Sequence, residues 1–479
     1  MKGKAFEMMR ALRQWELDEV ETWLKRRLRR GHKCLALYRL LRADYPDYPE
    51  ETEWKRRAFP KIYSRREAYH DKRMRALLSE FSKYMEGFFI DFHMQNDPYA
   101  RRMTYLREMR RRHSDRLLVE GARAVLREVD ESPERGLDYY RRKIELEEIV
   151  TTEFRQEVTE LPQYLDQITD LIERYHVLHR IDHHRALIEV GIFNQTPPPP
   201  LPDFYRTWID RHAEELPVHR YAFADISDRE SVTTSEELNA KLEQLKEILP
   251  QLSRSEKLEY VFALQNQATR AGRFIGQNMP YNQVNWNIRE LLIDDFLWEE
   301  AGNARGDTFR NTINIALNIN KIEWAEQFLE QNIERLSGDT RIEAEFYCRA
   351  QIALWKKDYE TALAATPTIN IKVHGREKTL IRVMLTRIYF ALIIEGKDYF
   401  DSMDNHLNAF EKMVWRNYRE RPTFRRRYLT MIQTVRKMVR HVNRSGKVLS
   451  VRQELIKMVE SQPPFPAKYW FAKILKELR

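Results

Sequence analysis

The chain has 479 residues, 42% hydrophobic and 32% charged, with only 14 glycines, two cysteines and a net charge of +9. That length exceeds what one compact core supports and predicts two or three domains or one extended solenoid. Scarce glycine, with Leu, Arg, Glu, Lys, Ala and Gln dominant, predicts an all-α protein rather than sheets, whose turns consume glycine. Cys34 and Cys348 each sit in an apolar helical run; two such distant thiols make neither a disulfide framework nor a zinc site and fit a reducing compartment. The opening MKGKAFEMMRALRQWELDEVE lacks the apolar stretch of a signal peptide, and no segment approaches 18 uncharged apolar residues, so a cytoplasmic protein with no membrane partner is expected. Charge is unevenly spread: +8 over residues 1–150, −13 over 151–350 and +14 over 351–479. A basic–acidic–basic chain can contact itself, bind anionic partners at its ends or self-associate.

Taken in order, the first 150 residues read as helices on 3.6-residue spacing. Leu12, Trp15, Val20, Trp23 and Leu24 mark one apolar face, which breaks at Gly31. Leu35, Tyr38 and Leu41 begin the next, which stops at Pro46 and Pro49. RALLSEFSKYMEGFFIDF (75–92) places Leu77, Leu78, Phe81, Tyr84, Met85, Phe88, Phe89 and Phe92 on a stripe wide enough to be buried against at least two neighbours. Two further helices follow, and residues 1–193 form an N-terminal helical region. NQTPPPPLPDF (194–204) interrupts it, because four consecutive prolines cannot continue a helix; the run is a stiff connector or a ligand for an aromatic groove. FADISDRESVTTSEE (223–237) reads as a second polar loop in which Thr234 or Ser235 caps the next helix, completing a connector over 194–235.

From residue 236 to 479 the chain reads as helix–turn–helix units. In AQIALWKKDYETALAATP (350–367), Ala350 and Ala362 stand twelve apart, Tyr359 follows the KKD turn and Phe346 lies one turn before Ala350. NKIEWAEQFLEQ around Ala325 and EGKDYFDSM near Met403 repeat the phrase loosely. This stretch resembles the tetratricopeptide repeat, whose small residues sit where two helices cross. Ile313 stands where the first unit would have a small residue, Pro367 shortens a helix, and the family's signature proline is missing. The resemblance implies an N-terminal helical bundle followed by a tetratricopeptide-like α-solenoid, and carries over no ligand-binding residue. The order of LSEFSKYMEGF, LREMRRR, IERYHVLHRI and FRNTINIALNINKIEWAEQFLEQ is also similar to a set of uncharacterised bacterial helical proteins, which implies the fold and no activity.

Three features bear on chemistry. In ERYHVLHRIDHHR, His176, His179 and His183 fall on one helical face, with Asp182 and His184 beside them. His179 and His183 have the i, i+4 spacing of chelating helices. No Glu occupies the catalytic position between them, however, and Arg174, Arg180 and Arg185 repel cations, so a partly buried polar face is expected and no metal. GRFIGQN (272–278) reads as close helix packing rather than a phosphate cradle, and no framed nucleophile occurs, so neither a catalytic residue nor a cofactor is expected. In FRRRYLTMIQTVRKMVRHVNR (424–444), Phe424, Tyr428, Met431, Val435, Met438 and Val442 share one face. Arg425, Arg426, Arg436, Lys437, Arg440 and Arg444 form a cationic ridge on another. Such a ridge is either a solvated surface or a binding surface for phosphate or an acidic protein. KRRLRRGHK (25–33) and REMRRRH (107–113) are smaller clusters of the same kind.

The sequence thus predicts a non-enzymatic protein-interaction scaffold using a helical-repeat surface. The alternative is an RNA- or DNA-binding protein using the basic faces, against which the burial expected for Phe424 and Tyr428 weighs, since buried rings cannot stack on bases.

Overall fold

The computed structural model describes residues 3–12, 15–45, 48–64, 66–151, 161–194, 200–212, 214–227, 234–275, 278–293, 303–336, 338–366, 376–419, 421–446 and 448–478. Among these residues there are 23 α-helices and no strand, so the chain is all-α. No helix among them is long and apolar enough to cross a membrane. The chain folds as two compact units, Met1–Ser231 with Asn239–Phe262, and Val232–Leu238 with Ala263–Arg479. Prolines 197–199, Pro367 and Gly276 lie outside the described residues. Of the expected loop at 223–237, residues 223–227 are the end of the helix Pro217–Ser227. Thr234 caps the helix Ser235–Ile248 as anticipated. Its hydroxyl accepts from the Glu237 amide at 3.2 Å while the Glu237 carboxylate accepts from the Thr234 amide at 2.8 Å, a reciprocal capping box.

The first unit is organised on the 26-residue helix Asp71–Asn96. Met74, Leu77, Leu78, Phe81, Met85 and Phe88 are buried along it. An apolar stripe this wide needs cover from several directions. It packs against Lys4–Ala11, Glu16–Arg27, Lys33–Ala43, Glu51–Ile62 and Pro98–Arg111. Several aromatic side chains of this core keep partners for their polar atoms, since a buried donor left unmade is costly. Trp23 Nε1 donates to Asp91 at 2.8 Å, Trp54 Nε1 to Asp44 at 2.6 Å, and the Tyr45 hydroxyl to the Leu12 carbonyl at 2.6 Å. Trp15, expected on the apolar face with Val20 and Leu24, is instead 55% exposed. It sits at the N-cap with helical backbone angles, and the helical register places it across the helix from Leu17, Val20 and Leu24, which are buried.

The second unit shows a recurring turn. Asn320, Lys357 and Gly396 each adopt a left-handed conformation, at intervals of 37 and 39 residues. In each case the amide after the left-handed residue reaches back to a carbonyl five residues earlier: Lys321 to Ala316, Asp358 to Ala353 and Lys397 to Leu392, at 2.9–3.0 Å. The left-handed residue's own amide bonds three residues back, to Leu317, Leu354 and Ile393. These are the two bonds that close a helix C-terminus and reverse the chain. The turns follow the helices Asn303–Asn318, Gly338–Trp355 and Arg376–Ile394, and precede Ile322–Asn332, Tyr359–Ala365 and Phe400–Asn417. Each helix packs on the one it follows across the turn, and successive first helices also touch.

Ala350 and Ala362 are fully buried, on helices packed against each other, as are Ala325 and Met403 at the corresponding places. A chain of side-chain hydrogen bonds ties the first helices together. Asn314 and Gln351 both donate to the Tyr347 hydroxyl, at 3.2 and 3.1 Å, and Arg387 donates to Gln351 Oε1 at 3.1 Å. His406 joins Phe400–Asn417 to Arg376–Ile394: the Arg382 guanidinium donates to its Nδ1 at 3.1 Å, and its Nε2 lies 3.0 Å from the Arg382 carbonyl.

Two outcomes follow from this packing. Ala362→Leu overfills the crossing and is expected to cost about 1–3 kcal/mol in denaturant unfolding, with the helical content of the folded state retained. The second concerns acid. Burial, helped by the Arg382 charge, holds His406 down to about 4, whereas the unfolded chain takes up its proton near the ordinary histidine value. The unfolded state therefore binds the extra proton between those values, and stability is full above pH ~6.5 and falls as pH drops toward 4. His406→Gln is expected to lower stability at pH 8 yet remove about 2 kcal/mol of the decline between pH 8 and pH 5, read from unfolding curves at the two pH values.

Candidate functional site

The predicted ridge lies on the helix Pro422–Ser445. Met431, Val435, Met438 and Val442 are buried, and the helix packs against Phe400–Asn417 and Val448–Glu460. Phe424 and Tyr428 are only half-buried. Of the six cations, Arg426, Lys437, Arg440 and Arg444 are exposed and have no ion pair among the described residues. The other two are engaged within the unit. Arg436 donates to Glu411 at 2.9 Å and to Asn408 at 3.0 Å, with its side chain 19% exposed. Arg425 donates to the Arg419 carbonyl at 3.2 Å and lies 4.8 Å from the centre of the Trp415 ring. Trp415 is 52% exposed. It gives this basic surface an open aromatic ring, supplied by the preceding helix, that periodicity along 424–444 could not show.

The histidines divide between two sides of the helix Leu161–Asn194. His176, His179 and His183 are exposed rather than partly buried, and His184 is buried. His176 Nε2 lies 3.2 Å from the Tyr205 hydroxyl, and His179 stacks on Tyr175 with ring centroids 5.5 Å apart. Asp182 turns inward to Arg185 at 2.9 Å, and burial pushes its carboxyl up to about 6. Among the described residues, the potential ligand atoms that do converge belong to His32, Cys34 and Glu80. There His32 Nδ1 caps the helix Lys33–Ala43 by accepting from the Cys34 amide at 3.2 Å, which commits that lone pair and leaves the proton on Nε2, 3.7 Å from Glu80. Burial, then the Glu80 charge, pushes the Cys34 thiol up to about 12, so it stays protonated at neutral pH.

A site that sequence reading missed lies in the first unit. A cavity of about 670 Å³ opens between Leu137–Val150, Leu161–Asn194 and the start of Pro217–Ser227, with Arg135 and Gln251 at its side. Tyr139, Tyr140, Glu147, Leu216, Val218 and His219 are its buried residues, and Gln167, Glu214 and Glu215 stand exposed at its edge. Its volume falls in the range of small-ligand sites. Arg174 pairs with Asp170 at 2.7 Å across one helical turn, and Lys143 pairs with Asp130. Tyr140 meets the His219 ring edge-on at 5.4 Å, and Trp208 packs on the same imidazole.

One carboxylate joins two helix starts beside this cavity. Glu256 accepts from the Ser253 amide at 2.8 Å, capping its own helix, and from the Leu137 amide at the start of Leu137–Val150. The Gly136 backbone passes so close that an added Cβ would lie 2.2 Å from Glu256 Oε1. Because two amides hold that carboxylate, it cannot move aside without releasing a helix end. Gly136→Ala is expected to lower stability by about 1–3 kcal/mol, and by much less in a Glu256→Ala background, a double-mutant comparison made by thermal unfolding.

Comparison with family models, curated proteins and solved structures found no match to this chain.

Proposed function

We propose that this chain is a cytoplasmic, non-enzymatic interaction protein. In this reading an N-terminal helical bundle leads into a tetratricopeptide-like solenoid whose surface docks a protein partner. The observation that supports it is the threefold recurrence of one turn, at Asn320, Lys357 and Gly396, each joining a pair of packed helices. Units that bury their faces only against neighbours form extended arrays, and such arrays bind through broad surfaces rather than one pocket. Ile342 and Phe346, 43% and 37% exposed and one turn apart on Gly338–Trp355, are the apolar anchors available to a partner segment.

A second reading, single-stranded nucleic acid, is favoured by one feature: the exposed Trp415 ring beside Arg425 and the open cations Arg426, Lys437, Arg440 and Arg444. Phosphate contacts combined with an aromatic face are what strand binding requires.

The two readings separate in one experiment. Tagged protein is used for capture from nuclease-treated native extract, alongside Phe346→Asp and an Arg440→Glu/Arg444→Glu double variant. The scaffold reading expects a protein partner that withstands nuclease and about 200 mM salt, is lost with Phe346→Asp and is retained by the double variant. The nucleic-acid reading expects oligonucleotide binding that collapses between roughly 50 and 200 mM salt and is lost in the double variant. The double variant should move stability by no more than about 0.5 kcal/mol, since Arg440 and Arg444 are exposed.

A further inference from the structure

The cavity of the first unit contains a carboxylate without a partner among the described residues. Glu147 is nine-tenths buried, and among the described residues its side chain has neither an ion pair nor a hydrogen bond. Lys143, one turn earlier on the same helix, attracts it but is bound to Asp130. The other cations of the lining are also engaged. Arg174 is held by Asp170, and Arg135 donates to the carbonyls of Ser132 and Glu134 while lying 4.4 Å from the centre of the Tyr139 ring.

A second unanswered acceptor borders the same space. His219 is 1% exposed, and its Nε2 lies 2.9 Å from the Arg174 carbonyl. A carbonyl can only accept, so Nε2 carries the proton and Nδ1 is a bare lone pair with no hydrogen-bond partner among the described residues. Burial holds this imidazole down to about 4, so it remains a neutral acceptor at physiological pH. At the edge, exposed Glu214 and Glu215 add negative charge. Among the described residues the lining thus carries four carboxylates, Glu147, Asp170, Glu214 and Glu215, against three cations, Arg135, Lys143 and Arg174. An anion entering it would meet Glu147, Glu214 and Glu215, with Lys143 held by Asp130, Arg174 by Asp170 and Arg135 already donating to backbone carbonyls.

We propose that this cavity binds a small organic cation, an ammonium or guanidinium compound, with its charged end paired to Glu147 and its carbon stem against Tyr139, Tyr140 and Leu216. Such a ligand supplies the charge that this largely buried carboxylate lacks among the described residues. The site is independent of the interaction surfaces of the second unit, so failure of either assignment leaves the other standing.

Agmatine, which carries a guanidinium and an ammonium, is a suitable probe, with succinate as the anionic control. Calorimetric titration of the full chain is expected to give one agmatine per chain and no heat with succinate. Glu147→Gln, nearly the same shape, is expected to bind agmatine at least about tenfold more weakly. Without ligand this variant should melt above the wild type, because it no longer buries an unpaired charge, and agmatine should raise the melting temperature of the wild type alone. A readout on unmutated protein guards against a variant that fails to fold: agmatine should protect Glu147 from carbodiimide coupling to glycinamide, followed by peptide mass spectrometry. Binding of succinate instead of agmatine, equal agmatine affinity in wild type and Glu147→Gln, no binding at millimolar agmatine, or no protection of Glu147 each overturns the proposal.

Discussion

The second unit depends on how a helix disposes of its last carbonyls. A helix leaves its final turn of carbonyl groups without intrahelical partners, and a buried end cannot rely on water to satisfy them. At residues 320, 357 and 396 the backbone solves this identically, by one left-handed residue that directs two amides back into the helix it ends. The same device reverses the chain, so the next helix is delivered against the previous one. Small or flexible side chains (Ala325, Ala362, Met403) then fill the contact. That a lysine and an asparagine occupy two of the three left-handed positions, where glycine is unstrained, indicates that the turn is enforced by the helices on either side rather than by local preference alone.

The first unit solves the complementary problem, the open amides at helix starts, with side chains from far along the chain. Glu256 serves two helix starts at once, and His32 serves another through its ring nitrogen. Glu147 lines a cavity in which Lys143 is held by Asp130 and Arg174 by Asp170, and His219 beside it offers a lone pair. The two units thus differ in kind. One repeats a packing solution and presents surface, and the other encloses a space with an unbalanced set of hydrogen-bonding groups.

Periodicity made the helices visible because it reports neighbours three and four residues apart on one element. It predicted the burial of Leu77, Phe81 and Met85 and of Met431, Val435, Met438 and Val442; the resemblance to the tetratricopeptide repeat predicted that of Ala350 and Ala362, and composition around Thr234 revealed its cap. It could not report partners from another helix. Arg436 reads as a free cation until Glu411 and Asn408 arrive from the preceding helix, and Trp415 joins the basic surface from outside the stretch that defines it. The cavity was invisible for the same reason. Glu147 looks like any carboxylate on a charged helix, and only the fold places it with His219, Arg174 and Leu216. The histidine run showed the converse: its regular spacing drew attention, yet the spacing itself points His176, His179 and His183 outward.

The discontinuity of the first unit sets a timetable for its making. Residues 239–262 belong to it, although the chain between Val232 and Leu238 belongs to the other unit. Glu256 lies 119 residues after the Leu137 amide it caps. At a synthesis rate of ~5–20 residues per second, roughly 6 to 24 s separate the emergence of that helix start from the arrival of its cap. Throughout that interval the Leu137 amide has water as its partner, and the cavity beside it has one wall incomplete. The first unit therefore cannot finish folding as a simple N-terminal piece while the ribosome is still adding residue 231. Its last hydrogen bonds form only after the chain has contributed a segment to the second unit and returned.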